Sequence, residues 1–415
     1  MPITRPERKI LRDLAKKVAD IAALPVMAER KALWRRHNSL KPCRPMMLIF
    51  PEGSWRELLP PETLRCASKE ARGIEQDLRR RIYTHEHFLD DTVCDDLIVV
   101  GRAITSTGWG LEPQWRPATE LHGARGFDPV IRTAADLKKL RIPEYSHDEA
   151  ASGARLRDMQ ELFGDILRVE LRGARYFGVH IMNLYTALRG LDQVMMDMVE
   201  NPAMLHDAMA FYESAFQSQV RQYAAMDLFS LNNDNTYHSS GGVGWTDELP
   251  KPGSDPARVR PCDMWASAEA QELALVSPEM HEEFVLAYER RILAHFGLNG
   301  YGCCEDLTRK LDHVFAIPNI RRISISPFAD VEACAEKMKG RAIFSWKPHP
   351  SHLVGEFNTR LIRDYIAHTL DVCAAHGCVL ELVLKDTHTC DRKPERFTQW
   401  TRIARELVRE RTGEG

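Results

Sequence analysis

The sequence predicts an α/β chain, and within that class an eight-stranded (β/α)8 TIM barrel behind an N-terminal helical extension. Two observations carry this. From about residue 190 onward, short apolar runs alternate with helical stretches of ten or more residues, the pattern of parallel strands joined by right-handed crossovers. Several of those runs end in polar clusters, and a closed barrel brings such strand ends together on one face, which favours it over an open sheet. A chain of 415 residues has room for the barrel and additions.

The opening stretch, MPITRPERKILRDLAKKVADIAALP, reads as a basic amphipathic helix that also carries acidic residues and lacks a small-residue cleavage site. Residues 1–40 are therefore expected to form the extension and 41–415 the barrel, in the cytoplasm. RPMMLIFPEG, closed by Pro and Gly, is the first strand, and DDLIVVGRAI reads as another. The section from about 110 to 180 mixes Gly, Pro and charge, and reads as an insertion or lid.

Regular alternation follows. A long helix near 191–226 precedes a strand at DLFSLNND and a loop, then a helix opening at Ser277–Pro278, an N-cap and first-turn pair. Strands at LNGYGCCE, RRISISP, RAIFSWKP and CVLELVLKD alternate with helices at LTRKLDHVFA, DVEACAEKMKG, TRLIRDYIAHTLDVCAAHG and PERFTQWTRIARELVRE.

Composition excludes several classes. With 44% hydrophobic and 28% charged residues the chain has the balance of a soluble globular protein, and no run reaches the roughly 18 apolar residues of a membrane span. Ten cysteines without regular spacing argue against a disulfide framework. A net charge of −3 with interspersed signs gives no attraction to nucleic acid.

Five polar clusters stand at strand ends: FPEGSW, LNNDN, GCCE, WKPHP and KDTHTC. Zinc favours thiolate, imidazole and carboxylate ligands, and a catalytic site uses about three of them with one position open. Cys303, Cys304 and Glu305, brought across the mouth from His388 and Cys390, are a candidate ligand set; small buried residues at strand ends would explain the same letters. Glu52 is a candidate general acid or hydrogen-bond acceptor with Trp55 as an apolar wall, or else the solvated side chain of a tight turn at Gly53. Asn232, Asn233 and Tyr237 precede a glycine-rich stretch that lacks phosphate-loop spacing and reads as a mobile substrate loop or a plain surface loop. Lys347, with His349, is either an anion-binding candidate or a surface residue.

Over roughly residues 190–410 the chain resembles the uroporphyrinogen decarboxylase superfamily, in particular its corrinoid-dependent zinc methyltransferases. SPEMHEEFVLAYERRILAHFGLNGYGCCEDLTRKLD is similar to that family's helix, the strand ending in its His-x-Cys-Gly zinc motif, and the next helix. IRRISISPFADVEACAEKMKGRAIFSWKPHP resembles the following strand, helix and strand, and PERF its Pro-x-Glu-Asn helix start. Two departures stand out. PEGSW replaces the decarboxylases' Arg-Gln-Ala-Gly-Arg segment, and Tyr301 stands where the zinc motif has His, while Cys303 matches its Cys. The resemblance implies methyl transfer between a small methyl ether or methylamine and cobalamin on a corrinoid protein partner, with zinc as cofactor and a possible homodimer. A zinc-assisted decarboxylase or lyase on the same barrel, or a silent binding homologue, are the alternatives.

Overall fold

A computed structural model of the chain describes residues 3–116 and 126–413. Its centre is a seven-stranded sheet: β1 (Met46–Ile49), β2 (Gly178–Val179), β3 (Trp265–Ala268), β4 (Leu298–Tyr301), β5 (Ile320–Ile325), β6 (Ile343–Trp346) and β7 (Val379–Leu384). The order is β1-β7-β6-β5-β4-β3-β2, every pairing is parallel, and β1 and β2 form two edges with no pairing between them. The expected alternation is thus present, while the ladder of an eighth strand closing the cylinder is not among the described pairings.

The sequence explains the elements. The helix Arg5–Ala22 begins in a capping box between Thr4 and Glu7, and Pro25 opens a second helix, Pro25–Asn38. Ser277 caps the helix it was expected to cap, accepting a hydrogen bond from the Met280 N–H. The helical stretch 191–226 is two helices, because Asn201–Pro202 ends one and starts the next.

Two strand expectations are corrected. Leu97–Gly101 is a strand, but it pairs with Arg168–Arg172 in a separate two-stranded sheet instead of joining the central one. The strand expected at 227–234 is reduced to a single parallel bridge from Phe229 to Ala174. The section from 110 to 180 carries regular elements of its own, including the helix Glu149–Phe163.

Period-two alternation sorts the sheet into two faces. Met47, Ile49, Ala266, Ala268, Tyr301, Ile323, Ile325, Phe344, Trp346, Leu380, Leu382 and Leu384 pack among the surrounding helices in the main apolar core. The other face mixes polar and small residues, Ser267, Gly300, Arg322, Ser324, Ser345, Glu381 and Val383, with large apolar ones, Met46, Leu48, Trp265 and Leu298, that form separate smaller clusters. The glycine-rich segment 236–245, expected to be a mobile or surface loop, is instead packed against that face and mostly buried. A Cβ on Gly300 would stand 2.8 Å from Ser239 Cβ, and one on Gly241 would stand 2.5 Å from Val383 Cγ1. Glycine is needed here for close approach of main chain to sheet, not for a phosphate.

The exposed edge of β1 is satisfied by side chains. Asp91 accepts from the Met47 N–H and Asp90 from the Ile49 N–H, so two buried carboxylates do what a neighbouring strand would have done. Burial opposes ionisation of Asp91, but Arg44 and Arg405 outweigh it and hold its pKa below the usual range. Among the described residues no helix is long and apolar enough to cross a membrane.

Candidate functional site

The C-terminal ends of β3, β4 and β7 deliver Glu269, Cys303 and Lys385 to one cavity of about 250 Å3. Tyr176 and His180 flank β2, and Tyr237 and Ser240 come from the packed glycine-rich segment. These residues are one step beyond regular strand geometry, where side chains can converge on a mouth instead of alternating.

A chain of polar contacts runs through the site. Lys385 Nζ donates to Ser240 Oγ at 2.9 Å, and Ser240 Oγ donates to Cys303 Sγ at 3.3 Å. Cys303 Sγ lies 3.5 Å from Cys304 Sγ, and Cys304 Sγ lies 3.6 Å from Asp386 Oδ2. Lys385 Nζ is also 3.9 Å from Cys303 Sγ and 3.3 Å from Asp386 Oδ1. On the far side Glu269 pairs with His180 Nδ1 at 3.1 Å, and Tyr176 OH meets His180 Nε2 at 3.1 Å.

The electrostatics follow from these contacts. The hydrogen bond within the thiol pair is the first cause of opposite shifts: Cys303, as donor, is raised and Cys304, as acceptor, is lowered. One proton therefore leaves the pair readily and the second is held. Burial works against both Glu269 and Lys385, yet Glu269 is lowered by the His180 and Cys303 side chains beside it, and Lys385 is raised by Cys303, Tyr237 and Asp386. Burial raises Tyr237, which stays a proton donor.

The expected site residues separate into groups. Cys303 and Tyr237 line the cavity, and Cys304 is in contact with Cys303. Glu52 stands exposed beside the mouth with a left-handed φ of 47°; partial desolvation, then the Asp386 carboxylate, raises its pKa. Glu305 is buried and turned back, accepting from the Cys303 and Ala270 N–H groups. His388 packs against Gly53, and Cys390 is engaged by Glu57 at 3.1 Å. Trp55 is packed beside Tyr83 and Phe88 instead of walling the cavity.

Asn232 uses its amide on Arg175 and Trp265 backbone groups, and Asn233 donates to the Leu249 carbonyl. Lys347 is buried under the mouth, donating to Ser345 Oγ and its carbonyl at 2.6 and 2.9 Å. Tyr301 faces away from the cavity, into the helix layer, with its hydroxyl 2.9 Å from His281 Nε2 and 3.2 Å from Glu289 Oε2.

Sequence reasoning missed Glu269, His180, Tyr176, Ser240 and Lys385. Glu269 ends WASAE, a strand too rich in small residues to read as apolar, and Lys385 stood unassigned inside KDTHTC. Two thiolates on one zinc, each about 2.3 Å from it, stand roughly 3.8 Å apart, close to the sulfur separation at Cys303 and Cys304. Among the described residues no group of three or more His, Cys, Asp or Glu side chains is arranged to hold a metal ion. The Cys303–Cys304 spacing alone is compatible with two thiolates on one zinc, while Glu269 and Asp386, the carboxylates that flank the pair, are not placed with it as a three-ligand group.

No family model matches the sequence, and no curated protein matches it. Among solved structures the chain is similar to a methyltransferase from Methanosarcina mazei, at 10% identity and a TM-score of 0.46, over 91% of this chain and 98% of that one.

Proposed function

We propose that the protein is a methyltransferase moving a methyl group between a small methyl ether or methylamine and a corrinoid protein, with the Cys303–Cys304 pair at the heart of the site. The observation that supports this reading is a vicinal dithiol, hydrogen-bonded by Ser240 and faced by an ammonium, beside a cavity of about 250 Å3 at the ends of parallel strands. When bound, zinc held by Cys303 and Cys304 would supply Lewis acidity, and the corrinoid on its partner would supply the methyl acceptor.

The chain's own residues serve the leaving group. As the methyl departs, the bonding pair stays on the substrate oxygen or nitrogen, which must then take up a proton. Tyr237 lines the cavity with a pKa raised by burial, so it holds a proton that can be donated there, and Glu52 beside the mouth has its pKa shifted upward by partial desolvation and then by Asp386. Lys385 keeps negative charge tolerable in the same place.

The test is to combine the purified protein with reduced corrinoid protein and a panel of methyl ethers and methylamines, following methylation of the corrinoid by its absorbance, with metal content measured in parallel. Methylation with some substrate, and stoichiometric zinc lost in a Cys303→Ser, Cys304→Ser double variant, is expected. No methylation with any substrate would overturn the reading, and turnover of a carboxylated compound without corrinoid would move the protein to the lyases.

A further inference from the structure

A second cavity, of about 260 Å3, shares no lining residue with the mouth. It lies between the helix Lys69–His87, the segment that follows Asp91 away from the edge of β1, and the start of the glycine-rich segment, where Asn235 donates to the Val93 carbonyl. Arg80, Arg81, His85 and Arg175 line it, against a single carboxylate, Asp95.

Two of the three arginines are already engaged. Arg81 pairs with Asp77 at 3.0 Å and faces Asp95 at 3.8 Å, while Arg175 donates to Thr236 and lies 3.6 Å from Asp234. Arg80 differs. Its guanidinium lies over the Trp55 ring at 5.2 Å, and its Nε is buried with no hydrogen-bond partner. His85 Nδ1 is buried and unpartnered in the same way. A guanidinium pressed against an aromatic ring is held in orientation, and buried N–H groups without acceptors favour whatever brings oxygen atoms to them.

We propose that this cavity binds the oxyanion group of a small molecule, a phosphate or a carboxylate, with Arg80 as its principal ligand and His85 and Arg175 beside it. Guanidinium groups match both anions in a two-pronged geometry. The volume leaves space beyond one such group, so the anion is one end of a larger ligand.

The experiment measures the thermal unfolding midpoint of the full chain against increasing sodium phosphate and, separately, sodium acetate, each compared with sodium chloride at equal ionic strength. A saturable rise with phosphate or acetate beyond that with chloride is expected, with the responding anion identifying which oxyanion the site takes. Apparent affinity should fall about tenfold or more in Arg80→Gln, the loss of one charge-assisted contact. His85→Gln, which leaves the ring stacking intact, should weaken it less and provides the readout if Arg80→Gln does not fold. Equal response to all three salts, or unchanged affinity in the folded variants, overturns the proposal.

Discussion

Glu381 and Lys385 lie four residues apart on the same face of the chain leaving β7, yet they live in opposite conditions. Glu381 is fully enclosed: Arg322 Nε donates to it at 2.9 Å, His37 Nε2 lies at 3.1 Å, and Ser345 Oγ completes the set. His37 is kept neutral by burial despite its carboxylate neighbour, so its Nε2–H donates to Glu381 and its Nδ1 faces Cys43. Lys385, by contrast, opens on a cavity and spreads its charge over a hydroxyl, a carboxylate and a thiol pair. The inner cluster fixes the sheet against the N-terminal helices. The outer one is left with unused bonding capacity, which is what chemistry on a third molecule requires.

Breaking the inner cluster should have the largest effect. Glu381→Ala leaves Arg322 as a buried charge without its carboxylate, and urea unfolding should show a loss of about 3–5 kcal/mol; a loss under about 1 kcal/mol would erase the contrast. The outer cluster should respond in the opposite sense. Cys303→Ser with Cys304→Ser is expected to change unfolding stability by less than about 1 kcal/mol. Methyl transfer should fall at least about a hundredfold, the scale of one lost transition-state contact.

Lys347 sits between the two clusters and sharpens the boundary. Burial, only partly offset by Glu381, pulls its pKa down to about 7. Between about pH 7 and its unfolded value the unfolded chain binds the proton and the folded chain does not, so this residue makes stability rise with pH across that window. Lys347→Met should flatten that rise, as read from denaturant midpoints between neutral and alkaline pH. The smallest effect is expected within the thiol pair: Cys303→Ala removes the donor that lowers Cys304, so alkylation of Cys304 at neutral pH should slow several-fold and its titration shift upward. An unchanged alkylation profile would show that the two sulfurs act independently.

Much of the sheet was legible because periodicity is local. The strands and helices from 277 onward stand close to where hydrophobic pattern and capping residues put them, apart from LTRKLDHVFA, of which only Leu311–Val314 is an α-helix. Leu97–Gly101 was legible as a strand but not as one outside the central sheet, because pairing partners are chosen by tertiary packing that a strand's own letters do not encode. The site was half legible for a similar reason. Cys303 and Cys304 announce themselves by residue type, whereas Glu305, only two residues on from Cys303, turns back to bond backbone N–H groups, and the irregular chain beyond a strand follows no period from which to foresee it. Asn232 and Asn233 read as ligand-binding amides, but main-chain groups left unpaired around a loop claim such side chains first.

The glycine-rich segment laid over the inner face has a further consequence. At Gly241 and Gly300 the segment and the sheet meet with no room for a Cβ, so there is no side chain between them to trim. The cavity is instead reshaped through the side chains that line it, from Tyr176 and Tyr237 to Ser239, Ser240 and Ser267.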